Sequence, residues 1–179
     1  MKLELNEQMP NFLFDTPYEK QIKLKSKIKN KKTMILFLRY YGCTLCQLDL
    51  MELKENYDRI KNTQGDILVV LQSDPDVLLE EMNKNGEFPF DIICDPQQRL
   101  YEEFEILPAT SKLKLANGNV VKKIIKANKR GISHGKYEGN ELQLPATFVV
   151  DDNLKLLYAH YGTNAADIPT IDEIEELLK

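Results

Sequence analysis

Residues 34–60 read MILFLRYYGCTLCQLDLMELKENYDRI, and their interpretation decides the fold. Met34-Ile35-Leu36-Phe37-Leu38 is a continuous apolar run of strand length. It leads into Gly42-Cys43-Thr44-Leu45-Cys46. Counted from Cys46, apolar residues recur at Leu50, Leu53, Tyr57 and Ile60, in steps of four, three, four and three. That is the helical period. The stretch therefore predicts a buried strand, a tight turn and a helix reaching about Asn62, with a C-x-x-C pair at the junction. Cys46 lies on the inward stripe. Cys43 stands one turn earlier, where the helix starts and the chain is expected to be exposed. Free N–H groups at a helix start favour negative charge. A free thiol has a pKa of about 8.5, and such a position lowers it. Cys43 is thus expected to ionise first. The same spacing also fits two other arrangements: cysteines that fill the core by coincidence, and half of a zinc site.

The chain has 179 residues, enough for one domain with a full core. It reads as a single unit over 1–179, with an N-terminal extension over 1–32 and a basic insertion over about 108–144. A charged share of 29% and an apolar share of 42% are ordinary for a water-exposed globular protein. The net charge of −4 gives no general attraction to nucleic acid or anionic membranes. The opening MKLELNEQMP lacks the apolar core of a signal peptide, and no apolar run approaches a membrane span. A cytoplasmic location is the default expectation. Three cysteines do not make a disulfide framework there, whereas a C-x-x-C between strand and helix reads as a redox motif.

Outward from the motif, NFLFDT (11–16) and residues 21–24 fit a short hairpin around Pro17. Seven lysines and no acid fill 20–32, a solvated face. DILVVLQS (66–73) is a second continuous apolar run. Such runs suit strands covered on both faces, hence a parallel sheet. Asp74-Pro75 is an N-cap with proline at the first helical position. The helix it opens buries Val77, Leu78, Leu79 and Met82 and stops at Gly86. A strand over 90–94 follows, and Pro89 marks either a strand start or a sheet edge. Asp95-Pro96 repeats the cap signal, with Leu100, Tyr101 and Phe104 turned inward.

Between Lys112 and Lys136 there are eight basic residues and no acidic one. Residues 119–130 predict a basic amphipathic helix with Val120, Val121, Ile124 and Ile125 as its apolar side, closed by Gly131. Either a solvated insertion or a surface for an acidic or anionic partner fits it. Glycines at 131, 135 and 139 make a loop, and Pro145 precedes the strand Ala146–Val150. Asp151-Asp152-Asn153 turns the chain into an antiparallel return strand, 154–161. Thr170-x-x-Glu173 is a capping box before Ile171, Ile174, Leu177 and Leu178.

This order of elements, with MILFLRYYGCTLC (34–46), FPFDIICDPQQRLYEEFEI (88–106) and LPATFVVDDNLKLLYAHYG (144–162), resembles the peroxiredoxin-like branch of the thioredoxin superfamily, the AhpC/TSA or redoxin proteins. The resemblance implies a three-layer α/β fold, a mixed central sheet with helices on both faces. It further implies a thiol oxidoreductase that reduces peroxides or disulfides, fed by a thioredoxin-type or other dithiol donor. Homo-oligomers fit the family. No cofactor and no metal are called for. Two positions depart from the peroxiredoxin pattern. Cys43 stands where a threonine or serine is usual if Cys46 matches the peroxidatic cysteine. Leu144-Pro145 stands where an arginine is usual, as in thioredoxins.

Dithiol exchange needs an attacking thiolate and a resolving thiol. The residue reading assigns attack to Cys43 and resolution to Cys46. The peroxiredoxin register makes Cys46 the peroxide-attacking residue, and both routes end at one bond. By resemblance, Pro145 is a cis proline beside the disulfide, shaping substrate access with Leu144 and Thr44. Arg39 is open between two readings: an auxiliary that replaces the missing arginine, or a side chain that strand alternation points away from the site. His134, in the glycine loop, is either a second auxiliary that donates a proton or an exposed histidine without a role. Cys94 alternates with Phe90 and Ile92 and is expected in the core, behaving as a small apolar group. His160, alternating with Leu156 and Tyr158, is expected to be a satisfied interior or edge histidine. A binding module with structural or metal-holding cysteines is the alternative class of function.

Overall fold

The chain opens with an antiparallel hairpin, β1 (Leu13–Phe14) and β2 (Ile22–Lys23), and the short helix α1 (Leu24–Lys27). The computed structural model describes residues 1–28 and 30–179; Lys29 of the lysine run lies outside them. Next comes β3 (Thr33–Phe37), buried along its whole length. The motif helix follows in two pieces, α2 (Thr44–Glu55) and α3 (Tyr57–Asn62), broken at Asn56. Then come β4 (Asp66–Leu71), α4 (Pro75–Asn85), β5 (Ile92–Cys94) and α5 (Arg99–Glu103). The basic segment folds as α6 (Lys112–Leu115) and α7 (Gly118–Lys129). The chain ends with β6 (Ala146–Val150), β7 (Leu156–Tyr161) and α8 (Ile171–Leu178).

Five strands make one sheet in the order β5-β4-β3-β6-β7. β3, β4 and β5 are parallel, β6 runs against β3, and β7 runs against β6 and so in the direction of β3. Alternation along β3 explains its unbroken apolar sequence. Met34 and Leu36 face one layer with Leu45, Cys46, Leu50 and Leu53 of α2. Ile35 and Phe37 face the other, with Leu24 of α1 and Leu100 and Tyr101 of α5. Leu3, Met9, Phe12 and Phe14 join that second layer, so the first residues of the chain cover a sheet face. This is the expected thioredoxin-like architecture.

Local signals placed several boundaries. Asp74 accepts from the Asp76 and Val77 N–H groups, with Pro75 at the first helical position. Gly86 ends α4 at φ +93°, a region that favours glycine. Thr170 and Glu173 form the capping box of α8. Other expectations need correction. Of the predicted inward residues of α4, Leu78 and Met82 are buried, while Val77 and Leu79 are only partly covered. α5 starts at Arg99, because the Asp95 carboxylate reaches forward to the N–H groups of Arg99 and Leu100 rather than capping at Pro96. Among the described residues no helix is long and apolar enough to cross a membrane.

The larger correction concerns α7. Val120 and Ala127 are buried, but Val121, Ile124 and Ile125 are exposed. The helix turns its basic side inward. Lys123 pairs with Asp49, Lys126 with Glu52 and Arg130 with Glu55, all on α2. Matched charges at matched helical spacing decide the docking face, not the apolar stripe.

Candidate active site

Cys43 is the N-cap of α2 and Cys46 lies in the first turn. Both are free thiols, at 2% and 3% exposure. The expected exposure of Cys43 is therefore corrected. Residues 131–144 strap the motif down. The Gly135 N–H donates to the Gly42 carbonyl at 2.8 Å. A Cβ at Gly42 would meet the Lys136 carbonyl oxygen at 2.1 Å, so only glycine allows this approach. Gln47 donates to the carbonyls of Gly42 and Ser133. Farther along, Glu138 accepts from the Ser73 hydroxyl and the Asp74 N–H, and the Gln72 side chain accepts from the Asn140 N–H.

Electrostatics separate the two sulfurs. The Cys46 thiol donates to Cys43, and the Arg39 guanidinium and the N–H groups of Cys46 and Leu45 add to it. Together they outweigh burial and bring Cys43 down to about 6. Burial, and the proton held against Cys43, push Cys46 up. The sequence expectation that Cys43 ionises first agrees with this direction.

Arg39 points into the site. Burial opposes its charge, but both sulfurs and Glu141 raise its pKa, and it donates to Cys46. Its Nη1 also donates to the Glu141 carbonyl at 2.7 Å, tying it to the strap. His134 sits in the strap, its Nε2 3.1 Å from the Tyr40 hydroxyl, which donates to Glu141. Its ring stacks on Tyr137. Thr44 opens α2 half-buried, and Leu144 is half-buried at the end of the strap.

Pro145 departs from the family expectation: no peptide bond among the described residues is cis. Ala146 pairs with Phe37, so Pro145 stands at the sheet end from which the motif leaves. The strap enters β6 through an ordinary trans bond, with Gln143 anchoring its exit. That side chain donates to the Ile106 carbonyl at 2.7 Å and accepts from Gln72. A trans bond is the lower-energy choice.

Cys94 is buried in β5, and burial, with Asp74 nearby, pushes its thiol up to about 12. His160 bonds Asp167 at 2.9 Å on the edge strand. Asp49 escaped the sequence reading. It is an acid buried to 4% exposure, three residues after Cys46, in the row of α2 that packs inward. Its signal was available, as a charge set among apolar positions of a helix stripe. A groove of about 840 Å³ runs beside Gly42, over Tyr41, Met51, Val77, Phe88 and Ile132.

Comparison with known proteins fits this geometry. Residues 5–159 match the sequence pattern of the AhpC/TSA family. The chain belongs to the AhpC/TSA family. Among curated proteins, prostamide/prostaglandin F synthase of Xenopus laevis is 29% identical over 146 residues, 78% of this chain and 70% of that protein. The Danio rerio protein of the same name is 26% identical over 172 residues, 94% and 84% respectively. Solved structures share the fold at low identity. Peroxiredoxin 6 of Arenicola marina superposes with a TM-score of 0.71 at 15% identity, covering 98% of this chain and 72% of that one. A thiol peroxidase from Chromobacterium violaceum gives 0.66 at 15%, covering 99% and 87%.

Proposed function

We propose that this AhpC/TSA-family chain is a thiol peroxidase that cycles Cys43 and Cys46 between dithiol and disulfide. The observation that carries the reading is the paired environment of the sulfurs. Cys43 is stabilised as a thiolate by Cys46, Arg39 and the start of α2, and Cys46 keeps its proton. Cys43 attacks one peroxide oxygen, the O–O bond breaks, and the departing oxygen takes a proton to become an alcohol or water. Cys43 becomes a sulfenic acid. The Cys46 sulfur then attacks Cys43, the S–S bond forms and water leaves. A thioredoxin-type or other dithiol donor restores the thiols. Arg39 is suited to the negative oxygen that forms as the O–O bond breaks. Leu144, Pro145 and Thr44 border the approach once the strap opens.

The name of the curated relatives supports testing lipid peroxides beside hydrogen peroxide. Stopped-flow oxidation with each, beside insulin-disulfide reduction, tests the reading. The expected result is loss of two thiols per chain with a peroxide, faster than insulin is reduced. Thiols that survive every peroxide would overturn it.

A further inference from the structure

Asp49 is a buried charge that the cycle above leaves unused. It stands three residues after Cys46 on α2, so the two side chains are neighbours on one helix face. A carboxylate taken out of water needs compensation. Among the described residues its hydrogen-bond donor is Lys123, whose Nζ lies 2.6 Å from Oδ1. Lys123 is partly open to solvent. Both side chains line a cleft of about 640 Å³ bordered by α2, α7 and α8. The pair thus joins the sulfur layer to water. A clamp between α2 and α7 does not need it buried, because Lys126–Glu52 and Arg130–Glu55 make the same connection nearer the surface.

The resolving step creates a need for such a group. While Cys43 is a thiolate, it shares the Cys46 proton. Once Cys43 is oxidised, that acceptor is gone, and burial keeps Cys46 protonated. Arg39 carries no acceptor.

We propose that Asp49 accepts the Cys46 proton in the resolving step, and that Lys123 orients it and connects it to solvent. This rests on the dithiol reading given above. The Cys46 S–H bond breaks as its proton passes to Asp49. The Cys46 sulfur bonds Cys43, and the group on Cys43 leaves with its electron pair. Asp49 then releases the proton through the cleft. Burial, opposed by Lys123, holds the Asp49 carboxyl at about 6, and Cys43 and Glu52 push the same way. At neutral pH it is ionised and able to accept. Lys122, Lys126, Asp167 and Glu173 line the same cleft and face it from α7 and the α8 side.

The test uses 5,5′-dithiobis(2-nitrobenzoate) on the full chain in a Cys94→Ala background. Cys43 attack releases one thionitrobenzoate, and Cys46 attack on the mixed disulfide releases the second. Asp49→Asn keeps an oxygen for Lys123. It should leave the first phase unchanged and slow the second on the order of 100-fold at pH 7. The second phase should also lose its break near pH 6, and Asp49→Glu should restore part of the rate. A folded Asp49→Asn protein with the parental second phase and the same break overturns the proposal while sparing the dithiol reading. A parent that shows no second phase overturns both. Should Asp49→Asn fail to fold, Lys123→Met serves: its break should move to higher pH, and an unmoved break refutes the role.

Discussion

The Gly135 N–H donates to the Gly42 carbonyl at 2.8 Å, so the backbone of the strap lies directly on the residue before Cys43. The motif is held down by a segment far downstream in the chain, and the proposed cycle requires that segment to lift. Gly42→Ala drives a methyl group into the Lys136 carbonyl. Overpacking of this kind costs about 1–3 kcal/mol. The variant should melt lower, and its Cys43 should be alkylated faster by iodoacetamide because the strap is displaced. Unchanged alkylation would show that the strap does not limit access.

Cys43 should react as a thiolate from slightly acid pH upward. With its pKa lowered to about 6, alkylation should plateau above neutrality and fall about tenfold per pH unit well below 6. Cys46 is the largest cause of the shift and Arg39 a smaller one. Cys46→Ala should therefore raise the alkylation midpoint more than Arg39→Met does. Equal midpoints in all three proteins would contradict the electrostatic account.

Asp49 should lower stability at neutral pH. Its folded pKa is raised from 3.8 to about 6. Across that window the folded state holds a proton that the unfolded chain has released. Stability thus falls as pH rises through the window and stays reduced above it. The effect is on the order of 2–3 kcal/mol. Asp49→Asn should be more stable than the parent at pH 7.5, with the advantage vanishing near pH 4. Denaturant midpoints at both values check this, and an advantage independent of pH would contradict it.

Much of the fold was legible because its signals are local. The β3–turn–α2 reading, the Asp74-Pro75 cap and the Thr170–Glu173 capping box each depend on residues within one turn of each other. What the sequence hid depends on distant partners. Residues 133–136 pack on Gly42 and Gln47 beside Cys43, and Gln143 anchors the end of the strap to Ile106 and Gln72. The face presented by α7 was misread because its apolar stripe competed with Asp49, Glu52 and Glu55 on another helix. Those acids repeat every three residues, and the cations at 123, 126 and 130 repeat every three or four. That complementarity was visible in the sequence and outranked the moment of the helix alone. For the site, the cysteine pair was legible, and Arg39 was left open between pointing in and pointing away. Its guanidinium reaches the sulfurs because it lies beyond the end of β3, free of the strand's alternation.

Cys94 should be dispensable. Its thiol is pushed up to about 12 and stays protonated at neutral pH. Cys94→Ser should keep peroxide turnover and lose about 1–3 kcal/mol for the buried hydroxyl. A folded variant without turnover would give Cys94 a redox role.

The central claim is that Cys43 and Cys46 form the redox couple. Peptide mapping by mass spectrometry after one equivalent of peroxide tests it most directly. The account predicts a single disulfide-linked species joining Cys43 to Cys46, reversed by dithiothreitol, with Cys94 fully alkylated. Cys43 and Cys46 both recovered as alkylated thiols, or a bond to Cys94 instead, would contradict it.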